Sequence, residues 1–250
     1  MILIKSAEEI ARMARACRIA AGALESLRKA ASPGMTTKDI EALAERLITE
    51  KGGKPAFKGY RGYPASICTS VNDQVVHGIP SRRKLNDGDI LSIDLGVYYD
   101  GYYGDSAITV PIGEVDEQAK ILIRVTEEAL YRGIEKATEG NRVSDISHAV
   151  QSHVEANGFS VVRALVGHGV GKLLHEDPQV PNFGPPGKGP RLARGMTLAI
   201  EPMVNAGGWQ VKFLEDGWTC VTADGSLSAH SEHTVLITGG PARILTSREY

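Results

Sequence analysis

Gly34, Asp39, Ile40 and Gly52 each recur 106 residues later, as Gly140, Asp145, Ile146 and Gly158, and Ala23-Leu24 recurs at that offset as Ala129-Leu130. Glycine ends helices and an early Asp helps to start them, so one offset shared by such positions points to a duplicated helix pair. In the first copy, Ser6 and Glu9 form a capping-box pattern ahead of a long helix ending near Ser32-Pro33-Gly34. Thr36 and Asp39 repeat the signal for a second helix, with Ile40, Leu43, Leu47 and Ile48 on one face and a stop at Gly52-Gly53. In the second copy, Asp116 opens a third helix running to about Ala137, and Ser144 opens a fourth that stops at Gly158. Strand-like sequence follows each pair: Ile90 to Tyr99 and Tyr102 to Pro111, then Met196 to Val204 and Glu232 to Thr238. The expected class is α+β, with one domain of 250 residues built from two pseudo-symmetric halves, about 1–112 and 113–250, sharing one antiparallel sheet. Pro181 to Pro190, rich in Gly and Pro, reads as a surface loop rather than a boundary.

Composition excludes several functions. A formal charge of −2 argues against a broad basic surface, so no DNA partner is expected. No stretch approaches the roughly 20 apolar residues of a membrane span. Ser6-Ala-Glu-Glu9 places acidic residues where a signal peptide needs an apolar run. Cys17, Cys68 and Cys220 are an odd, sparse set, a poor disulfide framework that fits a reducing compartment. A cytoplasmic location is expected.

Chemistry enters with the segment Ile90 to Ala107. Asp100-Gly101 is a two-residue hairpin signal, and a turn there sets Tyr99 opposite Tyr102, so that facing residue numbers sum to 201. Asp105 then faces Gly96 and Asp94 faces Ala107, which puts Asp94 and Asp105 on one face as diagonal neighbours, ~7–8 Å apart at Cα. The solvated alternative fits Asp94 poorly, because Leu-Ser-Ile-Asp94-Leu-Gly-Val is too apolar for an exposed edge. A bound cation offsets the cost of burying two carboxylates.

Three further segments supply compatible groups. Val166-Gly-His168-Gly-Val-Gly-Lys-Leu-Leu-His175-Glu can bend so that both histidines reach one site. Leu198-Ala-Ile-Glu201-Pro-Met-Val and Ser231-Glu232-His233-Thr-Val-Leu-Ile each place a carboxylate in an apolar strand. Singly each is weak, since a lone His is more often a hydrogen-bonded structural residue. Together they offer four carboxylates and an imidazole, which balance two divalent cations. Mostly oxygen donors suit Mn²⁺, Fe²⁺ or Co²⁺ better than a structural zinc. His148 and His153 fall on the polar side of the fourth helix and read as solvated. His77, ending the run Val75-Val-His77-Gly-Ile-Pro80, reads on its own as structural.

Taken in order, His77-Gly-Ile-Pro, Asp94 with Asp105, Gly-His168-Gly-Val-Gly with His175-Glu, Glu201-Pro-Met and Glu232-His233-Thr resemble the motifs of the type I methionine aminopeptidases of peptidase family M24. The resemblance spans nearly the whole chain. It implies the pita-bread fold, a pseudo-two-fold antiparallel sheet covered by two helix pairs. It implies removal of the N-terminal methionine from nascent proteins and peptides, preferably before a small second residue. The implied metal ligands are Asp94, Asp105, His168, Glu201 and Glu232, around two divalent ions (Co²⁺, Mn²⁺, Fe²⁺ or Zn²⁺) that activate a hydroxide for attack on the first peptide bond. Glu201 would shuttle a proton, His175 would contact the substrate carbonyl and its oxyanion, and His77 the scissile amide or the following residue. The methionine side chain would meet Tyr60, Tyr63, Cys68 and Trp218, with Phe57 close by.

Leu174, where bacterial relatives are expected to carry an aromatic, and His230, where an amide is expected, depart from the pattern and bear on the pocket's shape. The first helix begins almost at Met1, which fits the bacterial type without an N-terminal extension. By resemblance the partners are nascent-chain N-termini, with a transient ribosome contact left open, and a monomer is expected. A proline-specific peptidase of the same fold and a metal-free binding module are the rival readings. Substrate choice separates the first, and the intact ligand set argues against the second.

Overall fold

The structure, a computed structural model, describes residues 1–248. Helices α1 (Ala7–Ala30) and α2 (Thr37–Glu50) pack as one pair, and α3 (Glu117–Lys136) and α4 (Val143–Ala156) as a second. The strands are β1 (Lys54–Pro55), β2 (Cys68–Val71), β3 (Gln74–Val76), β4 (Ile90–Tyr99), β5 (Tyr102–Pro111), β6 (Ser160–Val161), β7 (Val166–Gly169) and β8 (Glu176–Pro181). They continue with β9 (Thr197–Ile200), β10 (Met203–Asn205), β11 (Val211–Phe213), β12 (Cys220–Thr222), β13 (Ser228–His230), β14 (Glu232–Leu236) and β15 (Arg243–Ile244). The principal sheet has nine strands, running β1-β4-β5-β14-β9-β7-β8, with β2 on β4 and β15 on β14. Two three-stranded sheets, β13-β10-β6 and β11-β12-β3, flank it. Both halves contribute strands to the nine-stranded sheet, as expected, and the remaining short strands form the two smaller sheets.

The helix starts follow from their caps. Ser6 accepts from Glu9 N–H while Glu9 accepts from Ser6 N–H, and Thr36 with Asp39 repeats this at α2. Asp116 caps α3 through Ala119 N–H at 2.7 Å. The fourth helix starts one residue earlier than Ser144 suggested. Arg142 is its N-cap residue, and Asp145 Oδ2 accepts from Arg142 N–H at 2.7 Å. A backbone bridge between Arg142 and Arg191 holds the entry and fixes the start, a long-range contact that local sequence does not carry.

The 106-residue offset extends from residues to elements. Adding 106 to the bounds of α2 gives those of α4, and α1 and α3 end at positions related in the same way. Gly34 and Gly140 take φ of 91° and 90°, and Gly52 and Gly158 take 77° and 79°. Gly34 N–H donates to Leu85 O at 2.8 Å, and Gly140 N–H donates to Leu192 O at 2.9 Å.

Strand β4 shows how the sheet separates core from site. Leu91, Ile93, Leu95 and Val97 pack with Leu24, Leu27, Ile40 and Ile48 of the first helix pair. Each buried aliphatic side chain of this kind contributes about 1.5–3 kcal/mol. The alternate residues Ser92, Asp94 and Gly96 face the other way. Leu198, Ile200 and Val235 pack on Leu130, Ile134 and Ile146 of the second pair. The β4–β5 register agrees with the hairpin rule throughout: Tyr99↔Tyr102, Gly96↔Asp105, Asp94↔Ala107.

The expected strand Met196 to Val204 is interrupted at Glu201-Pro202. Strand β9 ends at Ile200, and β10 begins at Met203 in a different sheet. Pro202 has no N–H to continue a ladder, so the chain changes sheets there. His148 is exposed as expected, whereas His153 is only partly so and its Nε2 lies 3.0 Å from Glu128 Oε2 on α3. Within 183–190 the loop is largely exposed, but Asn182 is 1% exposed and donates to Glu201 O at 2.9 Å.

Candidate metal centre and substrate pocket

The inward faces of β4, β5, β7 and β14 and the β9–β10 junction enclose a cavity of about 270 Å³, with Asp94, Asp105, His168, Glu201 and Glu232 all in its lining. Asp105, His168 and Glu232 each offer a donor atom within 4.8 Å of the others. Strand pairing sets their positions: Asp94 and Glu232 both lie opposite Ala107, and His168 lies opposite Ala199, two residues before Glu201. Thr234 Oγ1 donates to Asp105 O at 2.7 Å and Ser106 Oγ donates to Glu232 O at 2.8 Å, which fixes β5 against β14 at the site.

The donor set fits a cation. His168 Nδ1 lies 2.8 Å from Gly169 O, a carbonyl that can only accept, so the proton sits on Nδ1 and Nε2 carries a lone pair. That bare nitrogen stands 3.4 Å from Glu201 Oε1 and 3.8 Å from Asp105 Oδ2. Asp94 Oδ1, Asp105 Oδ1 and Glu232 Oε1 are buried without a hydrogen-bond partner. Converging acceptor atoms with no donor side chain between them are costly unless protons or a positive ion lie among them, and an ion can serve all of them at once. Burial pushes Asp94 up to about 7. Burial, and then the neighbouring carboxylates, hold Asp105, Glu201 and Glu232 well above the usual carboxylate range. Burial lowers His168 to about 4, keeping it neutral as a ligand must be.

Next to these groups the cavity becomes apolar. Tyr63, Ala65 and Cys68 form a buried cluster with Phe57, Ile79 and Trp218 against it. Tyr63 and Trp218 meet edge to face at 5.1 Å, and Cys68 lies opposite Asp94 in the β2–β4 register. Burial, and then Asp94, hold the Cys68 thiol well above its usual range, so it acts as a small apolar wall. Gly96 makes room here, because a Cβ on it would stand 2.6 Å from Phe57 Cε1. Sequence reasoning missed Val76, Leu165 and Met203, which also line the cavity. They are ordinary strand and loop hydrophobes, and nothing local marks them.

Two further histidines of the lining lie against its aromatic wall. His175 lies at the solvent edge, its Nδ1 2.8 Å from Tyr60 Oη, with the rings stacked at 5.2 Å. Its ring centroid is 4.2 Å from that of His168, and desolvation, then His168, lower its pKa. His77 holds φ at 60° and lies edge-on to Trp218 at 6.5 Å. A non-glycine residue in the left-handed region is strained, and such strain collects at functional sites. Two residues flagged by their departure from pattern are buried. Leu174 is 2% exposed in the cavity wall, and His230 is 1% exposed with both ring nitrogens unpartnered and Nε2 4.0 Å from Glu201 Oε2. His233 instead turns away, its Nδ1 2.9 Å from Thr246 Oγ1.

Buried carboxylates and a neutral imidazole beside a blind apolar pocket, on an antiparallel sheet backed by two helix pairs, define a metallohydrolase centre. Residues 11–239 match the model of metallopeptidase family M24, and the chain belongs to that family. It is 55% identical over 246 residues to methionine aminopeptidase 1 of Bacillus subtilis and 54% identical to the methionine aminopeptidase of Clostridium perfringens, covering 98% of this chain and 99% of each relative. It superposes on the crystal structure of methionine aminopeptidase from Thermotoga maritima with a TM-score of 0.97, at 52% identity and full coverage of both chains. The prolidase of Pyrococcus furiosus is more distant, with a TM-score of 0.81, 25% identity and 66% of its length covered. The fold is the pita-bread fold of these enzymes.

Proposed function

We propose that this chain is a methionine aminopeptidase of the bacterial type I form, removing the N-terminal methionine of nascent proteins and peptides, preferably before a small second residue. The observation that carries the reading is the meeting of Asp105, His168 and Glu232 within 4.8 Å at the edge of a pocket walled by Tyr63, Cys68 and Trp218. Asp94, Asp105, His168, Glu201 and Glu232 would hold two divalent ions, drawn from Co²⁺, Mn²⁺, Fe²⁺ or Zn²⁺. When bound, the ions supply Lewis-acid activation of water for attack on the first peptide bond.

The chain's own groups do the rest. Phe57, Tyr60, Tyr63, Cys68 and Trp218 receive the thioether side chain and exclude water around it. Glu201 takes a proton from the attacking water at Oε2, the oxygen turned away from His168, and passes it to the leaving amine. His175, held through Nδ1 by Tyr60, presents Nε2 to the substrate carbonyl, where negative charge develops in the transition state. His77 faces the peptide just beyond the cleaved bond. The two halves, 1–112 and 113–250, act as one catalytic domain, each contributing two carboxylates. The enzyme works as a monomer in the cytoplasm. Among the described residues, no helix is long and apolar enough to cross a membrane.

Hydrolysis of Met-Ala-Ser and of Ala-Pro, with EDTA and after restoring Mn²⁺ or Co²⁺, tests the proposal. Metal-restored release of methionine with Ala-Pro untouched is expected. Preference for Ala-Pro would move the chain to the prolidase side of the family.

A further inference from the structure

Lys5 and Glu176 form an ion pair at 2.5 Å with side chains 5% and 2% exposed. They are 171 residues apart in the chain and lie outside the cavity lining. Two charges taken this far out of water repay their desolvation only with good geometry, and often not fully, so such a pair is weak evidence for stability alone. What it connects is more telling. Glu176 immediately follows His175, and its Oε1 accepts from Leu173 N–H at 3.2 Å, closing the turn that carries His175. Lys5 N–H donates to Gly195 O at 2.9 Å, two residues before β9, the strand that leads to Glu201. The turn is shaped around the pair: a Cβ on Gly171 would stand 2.6 Å from Lys5 Cε and 2.8 Å from Glu176 Oε1. Gly171 O in turn accepts from Tyr103 N–H at 2.8 Å, on the strand that carries Asp105.

We propose that Lys5 and Glu176 are positioning residues for His175, the segment before α1 tying the His175 turn to the strand that delivers Glu201. The inference rests on the aminopeptidase reading, which gives His175 its role at the substrate carbonyl. Without the pair, the turn keeps its backbone bonds but its register against β9 is held by nothing buried and charged. His175, already at the solvent edge, is then free to leave the reacting carbonyl.

The test compares wild type, Lys5→Met, Lys5→Arg and the double variant carrying both Lys5→Met and Glu176→Gln, measuring thermal midpoint, Mn²⁺ affinity by calorimetry, and kcat and KM on Met-Ala-Ser. Lys5→Met alone leaves a buried carboxylate unpaired and should lower the midpoint. The double variant removes both charges while the introduced glutamine still accepts from Leu173 N–H, so the midpoint should recover. If the pair positions His175, the double variant still loses roughly tenfold or more in kcat, since a displacement of about 1 Å carries that cost. Its KM stays within about twofold because the loss is in the transition state. Mn²⁺ affinity stays at the wild-type value, and Lys5→Arg regains most of kcat. A double variant that recovers midpoint and kcat together would show a structural role only and overturn the inference. A wild-type protein that binds Mn²⁺ but releases no methionine would instead overturn the aminopeptidase reading beneath it.

Discussion

The Nε2 of His168 stands 3.4 Å from Oε1 of Glu201, while Nδ1 of the same ring is tied to Gly169 O at 2.8 Å. An ion bound there stabilises the folded chain by an amount that grows with the logarithm of its concentration above the dissociation constant. Saturating Mn²⁺ at about a hundred times its dissociation constant should add about 2.7 kcal/mol to unfolding. Urea unfolding with and without Mn²⁺ measures this. Asp105→Asn, which removes a charge from the centre, should abolish most of the increment, and an undiminished increment would place the ion elsewhere.

The pocket wall gives a second expectation. At Gly96 an added Cβ meets Phe57 Cε1 at 2.6 Å and Ala56 Cβ at 2.9 Å. Gly96→Ala should cost about 1–3 kcal/mol by overpacking. It should also raise KM for Met-Ala-Ser more than it lowers kcat, because Phe57 is pushed while the carboxylates remain in place. Steady-state kinetics with an unchanged KM would separate Phe57 from the substrate.

The two helix pairs differ at one cap. Thr36 supplies a side-chain oxygen to Asp39 N–H, whereas Arg142, at the equivalent position, has no acceptor to offer Asp145 N–H. Arg142→Ser should therefore stabilise α4 by about 0.5–1 kcal/mol, even after losing the bond from Arg142 Nη1 to Gly189 O. Chemical denaturation would show it as a higher midpoint at constant slope.

Acid stability should depend on Glu25. Hydrogen bonding from Arg28 is the largest influence on its carboxyl, with Lys29 adding to it, and the pKa falls to about 2 from 4.5. A depressed folded-state value means that the contribution is complete above pH 4.5 and fades as the pH drops toward 2. Glu25→Gln should flatten the acid limb of the stability profile across that window. It should cost about 1 kcal/mol or less at neutral pH, as pairs open to solvent do. An acid limb identical to wild type would mean that the group is not shifted.

Local rules reached far in this chain. The Asp100-Gly101 turn set the register of β4 and β5, and with it the shared face of Asp94 and Asp105, because a two-residue hairpin leaves one pairing open. Ser6, Thr36 and Asp116 marked three helix starts because their oxygens satisfy amides within a few residues. What stayed hidden depends on distant partners. Arg142 begins α4 through a bridge to Arg191, and Pro202 moves the chain from one sheet to another. Burial of His230 beside Glu201, and the link between Lys5 and Glu176, join segments far apart in the chain. Of the site, the sequence motifs named the carboxylates and histidines, while Val76, Leu165 and Met203 became visible only as cavity wall.

Methionine released from Met-Ala-Ser, measured as Mn²⁺ is titrated into metal-stripped protein, tests the central claim most directly. The account predicts no release without metal, a rise to a plateau as the ion binds, and loss of at least about a hundredfold in Glu201→Gln at saturating Mn²⁺. Release that persists in EDTA, or a Glu201→Gln variant as active as wild type, would contradict it.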